Sequence, residues 1–157
     1  MGPTLSVSTK IEIQASPAVV RAAFMNWPRY SQWHPNPNWN LQAAEKDKQP
    51  LDLKEGDALN VSMDGKAHSP VVVENSAAAF KWKGSLFGLG SGVHQFHFKP
   101  SEENPGATTF VQGEDFEGVV ITLSSPWWKG RTFDMSPWDK FNACLKAEAE
   151  KNASAAN

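Results

Sequence analysis

Val93-His94-Gln95-Phe96-His97-Phe98-Lys99 and, after a Pro-, Glu- and Gly-containing break, Thr108-Thr109-Phe110-Val111-Gln112-Gly113-Glu114-Asp115-Phe116 are the stretches whose reading decides the fold. In both, apolar side chains recur at every second position, the period of a strand with one buried face. The break from Pro100 to Gly106 joins them as an antiparallel hairpin. Burying Phe96 and Phe98 carries His94 inward, and burying Phe110 and Phe116 carries Gln112 and Glu114 inward. A hairpin closing near Glu102 and Glu103 sets His94 opposite Gln112, with Glu114 one pleat further on.

Upstream, Leu5, Val7, Ile11 and Ile13 alternate with polar residues and predict a first strand. Ser16-Pro17 then opens a short helix carrying Val20, Ala23, Phe24 and Trp27, which Pro28 ends. Tyr30–Trp33 predicts one further turn, and His34-Pro35-Asn36-Pro37-Asn38 a lid-like loop. Strands are expected at Trp39–Ala44, at Leu59–Met63 with an Asp64-Gly65 turn and a return strand through Val71–Val73, and at Phe80–Gly84. Downstream, Ser136 as cap, Pro137 at the first position and Asp139 in a capping box begin a long helix with Trp138, Phe141, Leu145 and Ala149 on one stripe. The expected class is α+β, a single domain over 1–157 with an ordered core from about 5 to 151, in which a curved antiparallel sheet wraps a C-terminal helix around an apolar hollow.

Among the 157 residues, Lys+Arg 15 and Asp+Glu 17 are interspersed and leave a net charge of -2, which argues against nucleic acid and anionic lipid as partners. No apolar run reaches the length of a membrane span, and the first residues lack a secretory pattern, so a cytoplasmic protein is expected. Gly2 and Ser6 match the myristoylation pattern, against which Pro3 and the absence of a polybasic patch both count. Cys144 reads as an unreactive thiol. His94 and His97 fall on opposite strand faces, and Gly88, Gly90 and Gly92 lack the strand-then-helix setting of a phosphate cradle, so neither metal nor cofactor is expected. The 7 Trp and 9 Phe against 1 Tyr exceed what filling a core of this size asks for and point to an aromatic-walled cavity.

The element order, together with Phe24-Met25-Asn26-Trp27-Pro28-Arg29-Tyr30-Ser31-Gln32-Trp33-His34-Pro35, resembles the SRPBCC superfamily, which includes START domains, birch-pollen-allergen-like proteins and polyketide cyclases. Gly92–Phe96, Gln112–Gly118 and Lys140–Lys146 agree with the same pattern, and the likeness runs from about Leu5 to Lys151. The resemblance implies a helix-grip fold. It leaves function open, since these proteins include carriers, receptors, cyclases and hydrolases. The short Asp64-Gly65 hairpin and the inserted Trp127-Trp128 pair depart from the pattern at the cavity mouth.

Glu114 and His94 are the candidate catalytic pair: burial raises the carboxyl pKa, and the neighbouring carboxylate is expected to raise that of the imidazole. The same groups, with Gln112, read equally well as a self-satisfying structural network. Asn142 interrupts the apolar stripe of the last helix and is a candidate ligand contact, or else bonds locally. Trp27, Trp82, Phe80, Phe96, Phe110 and Phe116 are expected to line the walls. Trp127, Trp128 and Phe133 form either a gate, with Trp128 touching substrate, or a homodimer contact. Two functions follow: a cofactor-independent, polyketide-cyclase-like enzyme using acid–base chemistry on an apolar aromatic or polyketide-type molecule, or a carrier of a hydrophobic lipid, quinone or secondary metabolite.

Overall fold

Ser16 begins the first helix by accepting a 3.3 Å hydrogen bond from the Val19 amide, and Pro17 takes the position where no amide hydrogen is needed. The computed structural model describes residues 4–34, 36, 38–63, 65–85 and 88–156. Gly2 of the acylation motif, Pro35 and Pro37 of the expected lid-like loop, Asp64 of the expected turn and Phe87 lie outside the described residues.

Strand β1 (Leu5–Ile13) leads to α1 (Pro17–Met25), a 3-10 turn at Trp27–Arg29 and α2 (Tyr30–Trp33). Then come β2 (Asn40–Ala43), β3 (Leu59–Met63), β4 (Lys66–His68), β5 (Val71–Asn75), β6 (Ala79–Ser85), β7 (Gly90–Pro100) and β8 (Thr108–Gly118). Two short helices, α3 (Val119–Leu123) and α4 (Ser125–Trp128), precede α5 (Ser136–Ala155). The sheet order is β1-β8-β7-β6-β5, with β2-β3-β4 alongside and joined through an Ala58–Val71 bridge. All pairings are antiparallel, and α5 lies across the concave face, a helix-grip fold.

Four local expectations are corrected. The return strand of the β3 hairpin is Lys66–His68; Val71–Val73 belongs to β5, because Pro70 offers no amide hydrogen to continue the ladder. Strand β7 starts at Gly90, three residues early, and pairs through Gly92. Ser136 is the first residue of α5 and not its cap: the cap position is Met135, and Asp134 before it accepts through Oδ1 from the Ser136 amide at 3.0 Å and the Ser136 hydroxyl at 2.6 Å. Asp139 instead accepts a 2.5 Å hydrogen bond from the Thr9 hydroxyl on β1. That bond, the Lys146 ammonium on the Glu12 carbonyl (2.8 Å) and the Gln14 amide on Glu150 (2.9 Å) lay α5 along β1.

The core fills from the hairpin end. Phe24 of α1 inserts between the sheet and α5, its ring centroid 4.5 Å from Phe96, 5.5 Å from Phe98 and 6.2 Å from Phe141. Phe80, Phe96, Phe98 and Phe110 are buried in the same cluster. Much of the expected hollow is therefore occupied by rings, and the polar groups lie at its other end, beside Gly92 and Phe116.

Candidate active site

The β7–β8 register places His94 directly opposite Glu114, and Phe96 opposite Gln112. This is a two-residue slip from the expected pairing, so every side chain keeps its face. Trp82 on β6 flanks His94 on the other side. The imidazole is enclosed by rings: Phe96 stacks on it at 4.7 Å, Trp138 of α5 approaches to 4.8 Å and Trp82 to 5.1 Å.

Gln112 bonds His94 across the diagonal, with its amide nitrogen 2.9 Å from Nε2. Donation from that amide fixes the imidazole proton on Nδ1, which points toward Glu114 Oε2 at 3.8 Å. Burial, with a smaller contribution from His68, pulls the His94 pKa down to about 3, so the ring is neutral at ordinary pH. The expected upward shift of His94 is thus corrected, because loss of hydration outweighs a carboxyl group that is itself only half ionised at neutral pH. At 3.8 Å, with a neutral ring, the two are not an ion pair.

Glu114 is the titrating member. Burial lifts its carboxyl to about 7, while its side chain keeps 24% exposure against 5% for His94. The polar groups therefore run from a partly open Glu114 through His94 to a fully buried Gln112. A carboxyl group near half-protonation at neutral pH, held in a water-poor place with an outlet, can take or give a proton.

Some buried polar atoms have no partner among the described residues: Gln112 Oε1, both amide atoms of Asn142 and Trp27 Nε1. Asn142 sits one helical turn beyond Trp138, which touches His94. Such atoms are costly to leave unpaired. Trp27 packs against Phe80 at 5.6 Å, and Phe80, Phe96 and Phe110 are integral to the core. Phe116 is half-buried beside Gly92. Trp128 spends its indole hydrogen on the Ile121 carbonyl (3.0 Å) and Ser124 hydroxyl (3.2 Å), and bonds within the α3–α4 segment.

Trp138 is the site residue that sequence reasoning missed. Its place on the α5 stripe was visible, but nothing in the sequence distinguished a core position from one covering His94. Two openings stand out: a groove of about 1350 Å³ over Val71, Lys83, Leu89, Glu117 and Leu123, and a smaller one of about 240 Å³ between α1 and α5. Neither is lined by His94, Gln112, Glu114 or Asn142. Burial also raises the Cys144 thiol pKa, consistent with an unreactive cysteine.

A helix-grip protein with polar groups set in an aromatic interior is what the fold and this geometry define. Residues 4–143 match the family described as polyketide cyclase / dehydrase and lipid transport, and the chain belongs to that family. Its fold is similar to norcoclaurine synthase from Thalictrum flavum, solved as a point mutant with a transition-state analogue: 12% identity, 97% of this chain and 98% of that one covered, TM-score 0.63. The Zhui aromatase/cyclase from Streptomyces sp. R1128 is similar at 12% identity, with 98% of each chain covered and TM-score 0.59. A hypothetical protein from Helicobacter pylori gives 11% identity, coverage of 96% and 89%, and TM-score 0.60. At these identities the likeness is one of fold. No curated protein matches in sequence.

Proposed function

We propose that the protein is a polyketide-cyclase-like enzyme that moves protons on an apolar aromatic or polyketide-type molecule, with Glu114 as the proton carrier. The observation that carries this is the Glu114 carboxyl group at about 7, partly exposed above a neutral His94. Ionised Glu114 takes a proton from the carbon beside a carbonyl. The resulting enolate attacks a second carbonyl of the same molecule, and the protonated Glu114 returns the proton to the new alkoxide. The Asn142 amide group donates to the enolate oxygen, and Gln112 Oε1 accepts from a substrate hydroxyl. His94 orients and stays neutral. The surrounding rings exclude water, and they must shift to admit a substrate, since the unpaired atoms are sealed from solvent.

A carrier of the same kind of molecule is the second reading. It is favoured by the loss of His94 as an acid: with one proton-active group, the cluster has little beyond what orienting a guest requires. Tryptophan-fluorescence titration against aromatic polyketides, quinones, sterols and fatty acids, with recovery and mass analysis of each compound, separates the two. Chemical alteration that disappears in Glu114→Gln, while binding persists, supports the enzyme. Tight binding with unaltered recovery supports the carrier.

A further inference from the structure

We propose that the rim formed by residues 119–133 docks onto an anionic lipid bilayer. Five of the nine exposed large apolar side chains among the described residues lie in this one fifteen-residue segment. Val119, Val120, Leu123, Trp127 and Phe133 come from this one rim, with Leu123 73% and Trp127 71% exposed. Leu89 and Val71 extend the same surface across the groove that α3 borders. Soluble surfaces seldom leave such a patch unpartnered.

Charge identifies the occupant. From Gly118 to Phe133 there is no acidic residue, and Lys129 and Arg131 stand exposed beside Trp127. Tryptophan and aliphatics on two short helices, with cations on the turn that follows, match the boundary of an anionic bilayer, where aromatics sit at headgroup level and cations meet phosphate. The net charge of -2 conceals this: the acids that flank the rim in sequence are each engaged, Glu117 with Lys83 at 3.2 Å and Asp134 with the Ser136 amide at 3.0 Å and hydroxyl at 2.6 Å, and Glu55 lies across the groove. A two-fold contact between copies is disfavoured, because it would gather two Lys129 and two Arg131 into one interface to which residues 119–133 bring no acid. The segment continues directly from β8, the strand that carries Glu114, at Gly118.

The test is co-sedimentation of the full chain with vesicles of phosphatidylcholine alone and vesicles containing a third phosphatidylglycerol, at low and high salt. About tenfold or greater preference for the anionic vesicles at low salt, weakened by salt, is expected. Leu123→Ser with Trp127→Ser lowers binding to anionic vesicles about tenfold or more, and Lys129→Glu with Arg131→Glu abolishes the preference. All four positions are exposed, and unchanged thermal melting verifies the fold of each variant. Wild type that sediments with neither vesicle, or variants that bind like wild type, overturn the proposal. So does a dimer in vesicle-free solution that the Leu123/Trp127 variant dissociates. No ligand is present and Glu114 takes no part, so the result stands apart from the acid–base reading.

Discussion

A Cβ atom on Gly92 would lie 2.6 Å from Oε1 of Glu114, so the side chain that Gly92 lacks is the space the carboxyl group occupies. Gly92 is two residues before His94 on the same strand face, and its cross-strand partner is Phe116. Strand, burial and proton affinity meet in that one vacancy.

Gly92→Ala is expected to push the Glu114 carboxyl toward solvent and return its pKa toward the ordinary carboxylate range. The fold should change by no more than about 1 kcal/mol, because the clash is mainly with the end of a flexible side chain. Gly118→Ala should cost at least about 2 kcal/mol, since its φ is +112° and the added Cβ meets the Gly90 Cα at 2.5 Å. Carbon-detected NMR titration of Glu114 and urea denaturation of both variants measure these effects.

The pH dependence of stability follows from the two shifts. Glu114 rises from the ordinary 4.5 to about 7, so between those values the folded state holds a proton that the unfolded state has released. Stability therefore falls as pH rises through this window, by about 1–3 kcal/mol after allowance for partial exposure. Glu114→Gln removes that loss and should melt higher than wild type at pH above 7, with the difference vanishing below 4.5. His94 is depressed from 6.5 to about 3, so stability also falls as pH drops below 6.5, and His94→Gln should flatten that acid limb. Melting curves that stay parallel to wild type across the range would refute both.

Asn142→Leu replaces two unpaired buried atoms with an apolar side chain of similar size on an apolar stripe. A gain of about 1–2 kcal/mol in unfolding free energy is expected, together with weaker ligand binding. Chemical denaturation and fluorescence titration on one preparation read the two together. A loss of stability would mean that the amide is satisfied by something other than a ligand.

Phe24→Ala should destabilise by about 3–5 kcal/mol, because the ring is fully buried and touches Phe80, Phe96, Phe98, Phe110 and Phe141. Equilibrium denaturation measures this directly.

What could be read from the sequence was what local pattern controls. The alternation in β1, β6, β7 and β8, the Ser16-Pro17 start and the interruption of the α5 stripe by Asn142 all appear in the structure. The β7–β8 register was misplaced by two because the turn was centred on Glu102 and Glu103. The chain turns at Asn104-Pro105-Gly106-Ala107, where the Ala107 amide bonds the Asn104 carbonyl at 3.0 Å and Gly106 has φ +86°. Proline then glycine at the two central positions is a type II signature that was present in the sequence. Helices α3 and α4 are too short to carry a period, so exposed Val119 and Leu123 gave no helical signal. The direction of the His94 shift depended on how completely Phe96, Trp82 and Trp138 enclose the ring, and that depends on elements distant in sequence.

The two strands bearing the polar groups form one hairpin closed by a short loop, whereas β1, which pairs with β8, comes from more than a hundred residues earlier: Ser6 bonds Asp115 at a separation of 109. Local closure costs far less chain entropy than distant closure, so the hairpin can assemble well before β1 and α5 seal it. Until they do, Glu114 is hydrated and behaves as an ordinary carboxylic acid. Refolding at a pH between 4.5 and 7 must then draw a proton from solution as the last elements dock, which makes proton uptake a kinetic marker of the moment the interior closes.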